Sequence, residues 1–261
     1  MADRVGGEAR RRKDDTEVVS GRRPVLELLK AGASIERILV ADGVTFRGPA
    51  GEIRRRAEGS GIPLRVVPRS EIERRAAGLN HQGIVALTAR FRYSPLERLL
   101  EPPEPAILFL DGVMDPHNLG SLLRSADGAG FHGVVIPSHR AVGVTAAVRR
   151  VSAGAAEVVG VARVNSLPAA LDRARRAGLW IVGLAAEGEA DLWSTRLAEP
   201  PVGIVCGAED KGLSASVAGR CDELVRIPHE GRLDSLNVSV AGAIAMFEVA
   251  RRREHLKRAE R

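Results

Sequence analysis
The chain has 261 residues, with 39 Lys+Arg against 33 Asp+Glu, 44% hydrophobic residues and only 3% aromatic ones. That supports one large core or two modest ones, built mainly from Val, Leu, Ile and Ala. The sequence pI of about 10.1 favours a polyanionic partner such as nucleic acid. No apolar run approaches the roughly 20 residues that cross a bilayer. The two cysteines, Cys206 and Cys221, lack metal-type spacing, and no apolar secretory stretch occurs in "MADRVGGEARRRKDD". No metal and no membrane partner are expected, and a reducing cytoplasm is.

Residues 1–15 are charged and aperiodic, and read as a disordered basic tail. Short alternating elements follow. "PVLELLKAG" is helical, with Val25, Leu28 and Leu29 on one face, and "RILVADG" is a strand. "AGEIRRRAEGSG" is a charged amphipathic helix, "PLRVVP" a strand, "SEIERRAAG" a helix capped by Ser70, and "GIVALTARF" a strand. These predict a small α/β domain over 16–93. "SPLERLLEPPEPA" reads as a proline-rich linker, over 94–105.

A second series over 106–261 supplies the strands "ILFLDGV", "GVVIP", "EVVGVARV", "LWIVGLAA", "PVGIVCG" and "ELVRIP". They are near-continuous apolar runs, the pattern of a parallel sheet buried on both faces. Helices fall between them at "NLGSLLRSADGAG", "TAAVRRVSAGA", "SLPAALDRARRAG" and "SASVAGRC". The last helix, starting "SLNVSVAGAIAMFE", is apolar first and strongly basic afterwards.

A doubly wound sheet invites a dinucleotide, but no G-x-G-x-x-G follows the first of these strands. "GAEDKGLS" has the glycine spacing of a phosphate loop, yet Leu213 stands where its lysine should be. Three polar loops after strands remain: "DPHNLGSLLR", "GAEDKG" and "RIPHEGRLDS" leading into "SLNVS". Each reads equally as a turn with a helix cap, and Asn118 would serve as one. In the third, Asn237 and Ser239 are poor interior helix residues, so this helix start presents side chains to a site.

At these loops "NLGSLLRSADGAG", "VCGAEDKGL" and "IPHEGRLDSLNVSVAGAIAMFE" resemble, in order and spacing, the three motifs of the SPOUT superfamily. The match is to its TrmH (SpoU) family of RNA 2′-O-ribose methyltransferases, and most nearly to the RlmB group, which acts on a guanosine of 23S ribosomal RNA. "NHQGIVALTARF" resembles the end of that family's N-terminal substrate-binding domain, itself similar to an RNA-binding ribosomal protein. The resemblance implies an α/β catalytic domain with a deep trefoil knot, against the rule that chains do not thread loops. It also implies a homodimer and S-adenosylmethionine held near Gly207, Ile227 and Leu236.

The same resemblance assigns catalysis to Asn118, Arg124, Glu209, Ser235 and Asn237. A guanidinium stays protonated, so Arg124 is expected to anchor a substrate phosphate and favour alkoxide charge rather than act as base. Glu209 is expected to orient Arg124 or Asn237. His117 and His81 read first as structural, and Lys211 as a solvent-facing cation. Arg54 to Arg56, Arg149-Arg150 and Arg251 to Arg253 are either RNA backbone contacts or solvated helix faces. Ribosomal RNA is the expected partner, with transfer RNA as the alternative target. A non-catalytic RNA-binding protein and a nicotinamide enzyme are the competing classes, the latter disfavoured by the missing fingerprint.

Overall fold
In the computed structural model, residues 16–30, 32, 35–195, 201–230 and 235–259 are described, and the expected basic tail lies outside them. The chain divides into two compact units, to Arg92 and from Tyr93. In the first, β1 (Thr16–Ser20), β2 (Ile35–Ala41), β3 (Leu64–Val67) and β4 (Ile84–Ala89) form a sheet of order β1-β4-β2-β3. The β2–β3 pair is parallel and both pairs to β4 are antiparallel. Helices α1 (Arg22–Lys30), α2 (Pro49–Gly59) and α3 (Arg69–Ala76) accompany the strands. Leu39, Ile72, Val85 and Leu87 form part of the buried core.

Strand β1 was not anticipated, because its half-exposed pattern lacks a continuous apolar run. The cap expected at Ser70 is displaced: α3 starts at Arg69 with Pro68 at its N-cap position and no side-chain cap bond. Proline presets the φ that a helix start needs, so the hydroxyl is not required.

The second unit begins with a short helix, α4 (Leu96–Leu100), inside the stretch read as a linker. Leu96 and Leu99 are buried with Ile107, Phe109, Leu171 and Ile181, so this segment belongs to the core rather than to a tether. Among the described residues a seven-stranded sheet follows, ordered β7-β6-β5-β10-β8-β11-β9. Its strands are β5 (Ala106–Leu110), β6 (Gly133–Pro137), β7 (Gly160–Val164), β8 (Trp180–Leu184), β9 (Ala190–Asp191), β10 (Val202–Cys206) and β11 (Glu223–Arg226). All pairs are parallel, and β5 and β10 are buried throughout, as the continuous apolar runs require.

The helices are α5 (Pro116–Gly128), α6 (Ala146–Val151), α7 (Leu167–Arg176), α8 (Ala215–Ala218) and α9 (Val238–Ala259). Thr145 and Ser166 cap α6 and α7 through their hydroxyls. From β5 the chain winds outward through β6 to β7, then returns to the other side of β5. The order therefore reverses beside β5, and open α/β sheets bind ligands at such a point, outside the carboxyl ends of the strands.

Candidate active site
The α5 start differs from its sequence reading, and the difference exposes Asn118's purpose. Asp115 is the N-cap, its carboxylate accepting from His117 N–H at 3.0 Å, and Pro116 occupies the first turn. Proline is suited there because its missing N–H has no helical partner. Asn118 is thus not the cap. It lies within the first turn, only 7% exposed, where its amide is free to serve another purpose. Gly120 lets α6 approach: a Cβ there would stand 2.6 Å from Val151 Cβ.

Asn237 occupies the turn before α9. Its Oδ1 accepts from Ser239 N–H at 2.9 Å and Ser239 Oγ at 2.6 Å, while Ala241 N–H donates to its carbonyl at 2.9 Å. Asn237 therefore caps the helix that the sequence had beginning at Ser235. The cap fixes its other end. Asn237 Nδ2 donates to Asn118 Oδ1 at 3.1 Å and to Glu209 Oε1. One amide thus joins residues from all three loops. Asn118 Nδ2 has no partner among the described residues and remains a spare donor.

Glu209 sits on a tight loop after β10, where Ala208 and Gly212 exchange backbone bonds of 3.0 and 2.8 Å. Asp111, at the end of β5, anchors this loop by accepting from Ser214 N–H at 2.8 Å. A Cβ at Gly207 would stand 2.1 Å from the Gly212 carbonyl carbon, so glycine is required by the loop's own closure. Beside the loop is a cavity of about 380 Å³, within the size range of small-molecule sites. Gly207, Glu209, Ile227, Ser235 and Leu236 all line it, together with Lys211 and apolar Leu213 and Leu224. Cys206 also lines it, but burial pushes its thiol up to about 12, which keeps it protonated and un-nucleophilic.

The structure thus brings Asn118, Glu209 and Asn237 into one network, and Gly207, Ile227, Ser235 and Leu236 onto one cavity. Arg124 is in neither. It is exposed on α5, about 120° around the helix from Asn118, and makes no hydrogen bond or ion pair among the described residues. Of the two partners expected for Glu209, Arg124 and Asn237, it meets Asn237. Asp115 was missed as a site-building residue. The Asp-Pro pair at a helix start is the signal that could have found it.

Several guanidinium groups of the basic runs are paired with carboxylates. On α2, Arg54 pairs with Glu58 at 2.8 Å and Arg56 with Glu52 at 2.9 Å. Arg149 pairs with Glu157 at 3.1 Å, and Arg251 and Arg252 both bind Glu248. His81 is structural: its Nδ1 accepts from Gly83 N–H at 3.0 Å. Lys211 is exposed, as expected. Among the described residues no group of three His, Cys, Asp or Glu could hold a metal ion, and no helix is long and apolar enough to cross a membrane.

Comparison with known proteins completes the description. Residues 105–247 match the SpoU rRNA Methylase family, and residues 18–94 match the domain described as RNA 2′-O ribose methyltransferase substrate binding. A TrmH-family tRNA/rRNA methyltransferase of Bacillus subtilis is 38% identical over 242 residues, covering 91% of this chain and 96% of that protein. The AdoMet-bound rRNA methyltransferase of Sinorhizobium meliloti superposes with a TM-score of 0.61 at 27% identity, over 95% of this chain and 91% of that one. AviRb, a SpoU methyltransferase of Streptomyces viridochromogenes solved with AdoMet, gives a TM-score of 0.63 at 25% identity, over 94% and 92%. With two domain matches in order and relatives aligned along nearly their whole length, the chain belongs to the SpoU/TrmH family of RNA methyltransferases.

Proposed function
We propose that this protein is an S-adenosylmethionine-dependent RNA ribose 2′-O-methyltransferase whose target is a guanosine of 23S ribosomal RNA. The observation that carries the reading is the amide network of Asn118, Asn237 and Glu209 at the edge of a cavity lined by polar and apolar groups alike. The cavity suits the cofactor: Ile227, Leu236, Leu213 and Leu224 can flank an adenine, while the loop after β10 presents main chain. S-adenosylmethionine, when bound there, supplies a methyl group on a sulfonium, which a ribose 2′-oxygen accepts as its proton leaves.

This chain's residues hold the acceptor in line. Asn118 Nδ2 is the spare donor for an acceptor oxygen, and Asn237 and Glu209 fix its amide plane. Arg124 serves as a phosphate anchor through its guanidinium fork. The proton passes to water or to an RNA phosphate oxygen. Ser235, on the cavity wall, helps align the acceptor. Intact Asn118, Glu209 and Asn237 favour this over a non-catalytic RNA-binding role.

The working unit in this reading is a cytoplasmic homodimer with a knotted C-terminal domain. Placement of β10 between β5 and β8, with α9 packed on α5 and β10, supports the threaded crossing. Val240 and Phe247, two turns apart on α9, are 47% and 50% exposed and form an apolar face that a second copy would cover. Phe247 lies against Gly128, one turn beyond Arg124 on the same side of α5. A partner seated there also covers Arg124 and lets it act at the partner's site. Light scattering should give twice the chain mass. Mixing inactive Asn118→Ala and Arg124→Ala proteins should restore transfer through mixed dimers, and no restoration would place Arg124 in its own chain's site.

The functional test is transfer of tritiated methyl from S-adenosylmethionine to unmodified ribosomal RNA, followed by alkaline hydrolysis. A 2′-O-methyl group leaves an alkali-stable dinucleotide containing guanosine. Label in mononucleotides would refute ribose methylation. The relative's name covers tRNA as well as rRNA, so tRNA is the second reading, and label in tRNA alone would select it.

A further inference from the structure
The loop between β6 and α6 is fastened at both ends. Ser138 N–H donates to Val164 O at 2.7 Å, its Oγ donates to Asn165 Oδ1 at 3.1 Å, and its carbonyl accepts from Arg163 Nη2 at 3.0 Å. Val142 N–H donates to Val113 O at 3.0 Å, and Val144 N–H donates to Tyr93 Oη at 3.0 Å. Between these fixed points His139 and Arg140 are exposed. Arg140 has φ of +55°, in the left-handed region where a side chain is strained. Glycine would adopt that backbone freely. A long cation here is not required by the turn. That side chain makes no hydrogen bond or ion pair among the described residues.

Its location is set by Gly112. A Cβ there would stand 3.5 Å from Ala208 Cβ and 4.0 Å from Arg140 O. The loops after β5, β6 and β10 therefore meet at this glycine. Glu209 follows Ala208, and the β5 loop leads directly into the helix carrying Asn118. Arg140 thus stands at the rim of the amide network, on a loop held still by bonds at both ends. An RNA acceptor strand carries a phosphodiester on either side of the reacting ribose, and a guanidinium matches that geometry with two parallel N–H donors.

We propose that Arg140 grips a backbone phosphate of the acceptor RNA beside the methylated ribose, as a substrate-positioning residue additional to Arg124. The proposal rests on the RNA ribose methyltransferase reading above. Its test compares wild type, Arg140→Gly and Arg140→Lys. Each is assayed for methyl transfer to unmodified ribosomal RNA transcribed in vitro, and for binding the same RNA across a salt series. Glycine keeps the turn relaxed and removes the charge, so the variant should fold, checked by its melting temperature.

Arg140→Gly should raise KM for RNA on the order of 10-fold while kcat falls far less and S-adenosylmethionine affinity is unchanged. The slope of log affinity against log salt should shrink by about 0.7 to 0.9, the loss of one phosphate contact. Arg140→Lys should recover the slope but only part of KM. An Arg140→Gly protein with wild-type KM and slope would show that the residue only shapes the turn, and would overturn the proposal. Wild-type protein that methylates no RNA would instead sink the functional reading, and this inference with it.

Discussion

At its first turn α9 ties Asn237 and Ser239 to Asn118 and Glu209, whereas three turns on Glu248 is gripped by Arg251 and Arg252. The first network leaves Asn118 Nδ2 unengaged and borders a cavity. The second closes on itself. Glu248 is 7% exposed, and Arg252 also donates to the carbonyls of Thr195, Leu192 and Trp193. Thr195 in turn donates to Glu223. Spare hydrogen-bonding capacity next to a cavity marks a site, while complete satisfaction marks a brace.

Four substitutions probe that contrast. Arg252→Ala should have the largest effect, about 3 kcal/mol of stability by denaturant titration, because it removes one of the two cations on a nearly buried carboxylate and leaves three carbonyls without that donor. Below its melting range the variant should keep near-normal kcat, and a collapse of kcat would blur the distinction between the two ends. Asn237→Ala should do the reverse. Loss of the network should cut kcat on the order of 100-fold, while loss of the cap costs only about 1 kcal/mol.

Glu248→Gln sharpens the electrostatic side of the comparison. The hydrogen bond from Arg251, reinforced by Arg252, holds Glu248 at about 2 against an ordinary 4.5. A depressed folded pKa contributes stability above the ordinary value and loses it as pH falls through the folded one. The gap between wild type and Glu248→Gln should therefore be constant near neutral pH and close between pH 4.5 and about 2. A gap that persists at the acid end would assign the effect to packing instead. Arg251→Ala should be the mildest, under about 1 kcal/mol, since that side chain is 57% exposed and solvent screens it.

The strands were legible because their chemistry is local. "PVGIVCG" contains Val202–Cys206, buried throughout, and "GVVIP" coincides with β6. The pairing within α2 was legible too: Glu52 and Arg56, and Arg54 and Glu58, are spaced i, i+4, so a solvated face was readable beside an RNA contact. Helix starts were harder. Asn118 looked like a cap because its residue type suits one, but Asp115 followed by Pro116 performs that task. The short helix α4 was hidden among prolines, and only its burial with Phe109 and Ile181 removes it from a linker.

The sequence by itself determined the alternation of elements, the doubly buried sheet and the identity of the polar loops, since apolar period and turn chemistry act over a few residues. Tertiary structure alone decided which polar residues meet. Asn118 and Asn237 are 119 positions apart and share one hydrogen bond because α5 carries one and α9 packs back on α5 to bring the other. It also decided that Arg252 is inside rather than on an RNA-facing surface. The nonlocal carbonyls of Leu192, Trp193 and Thr195 fix that outcome, and they are not written in the spacing of residues along the chain.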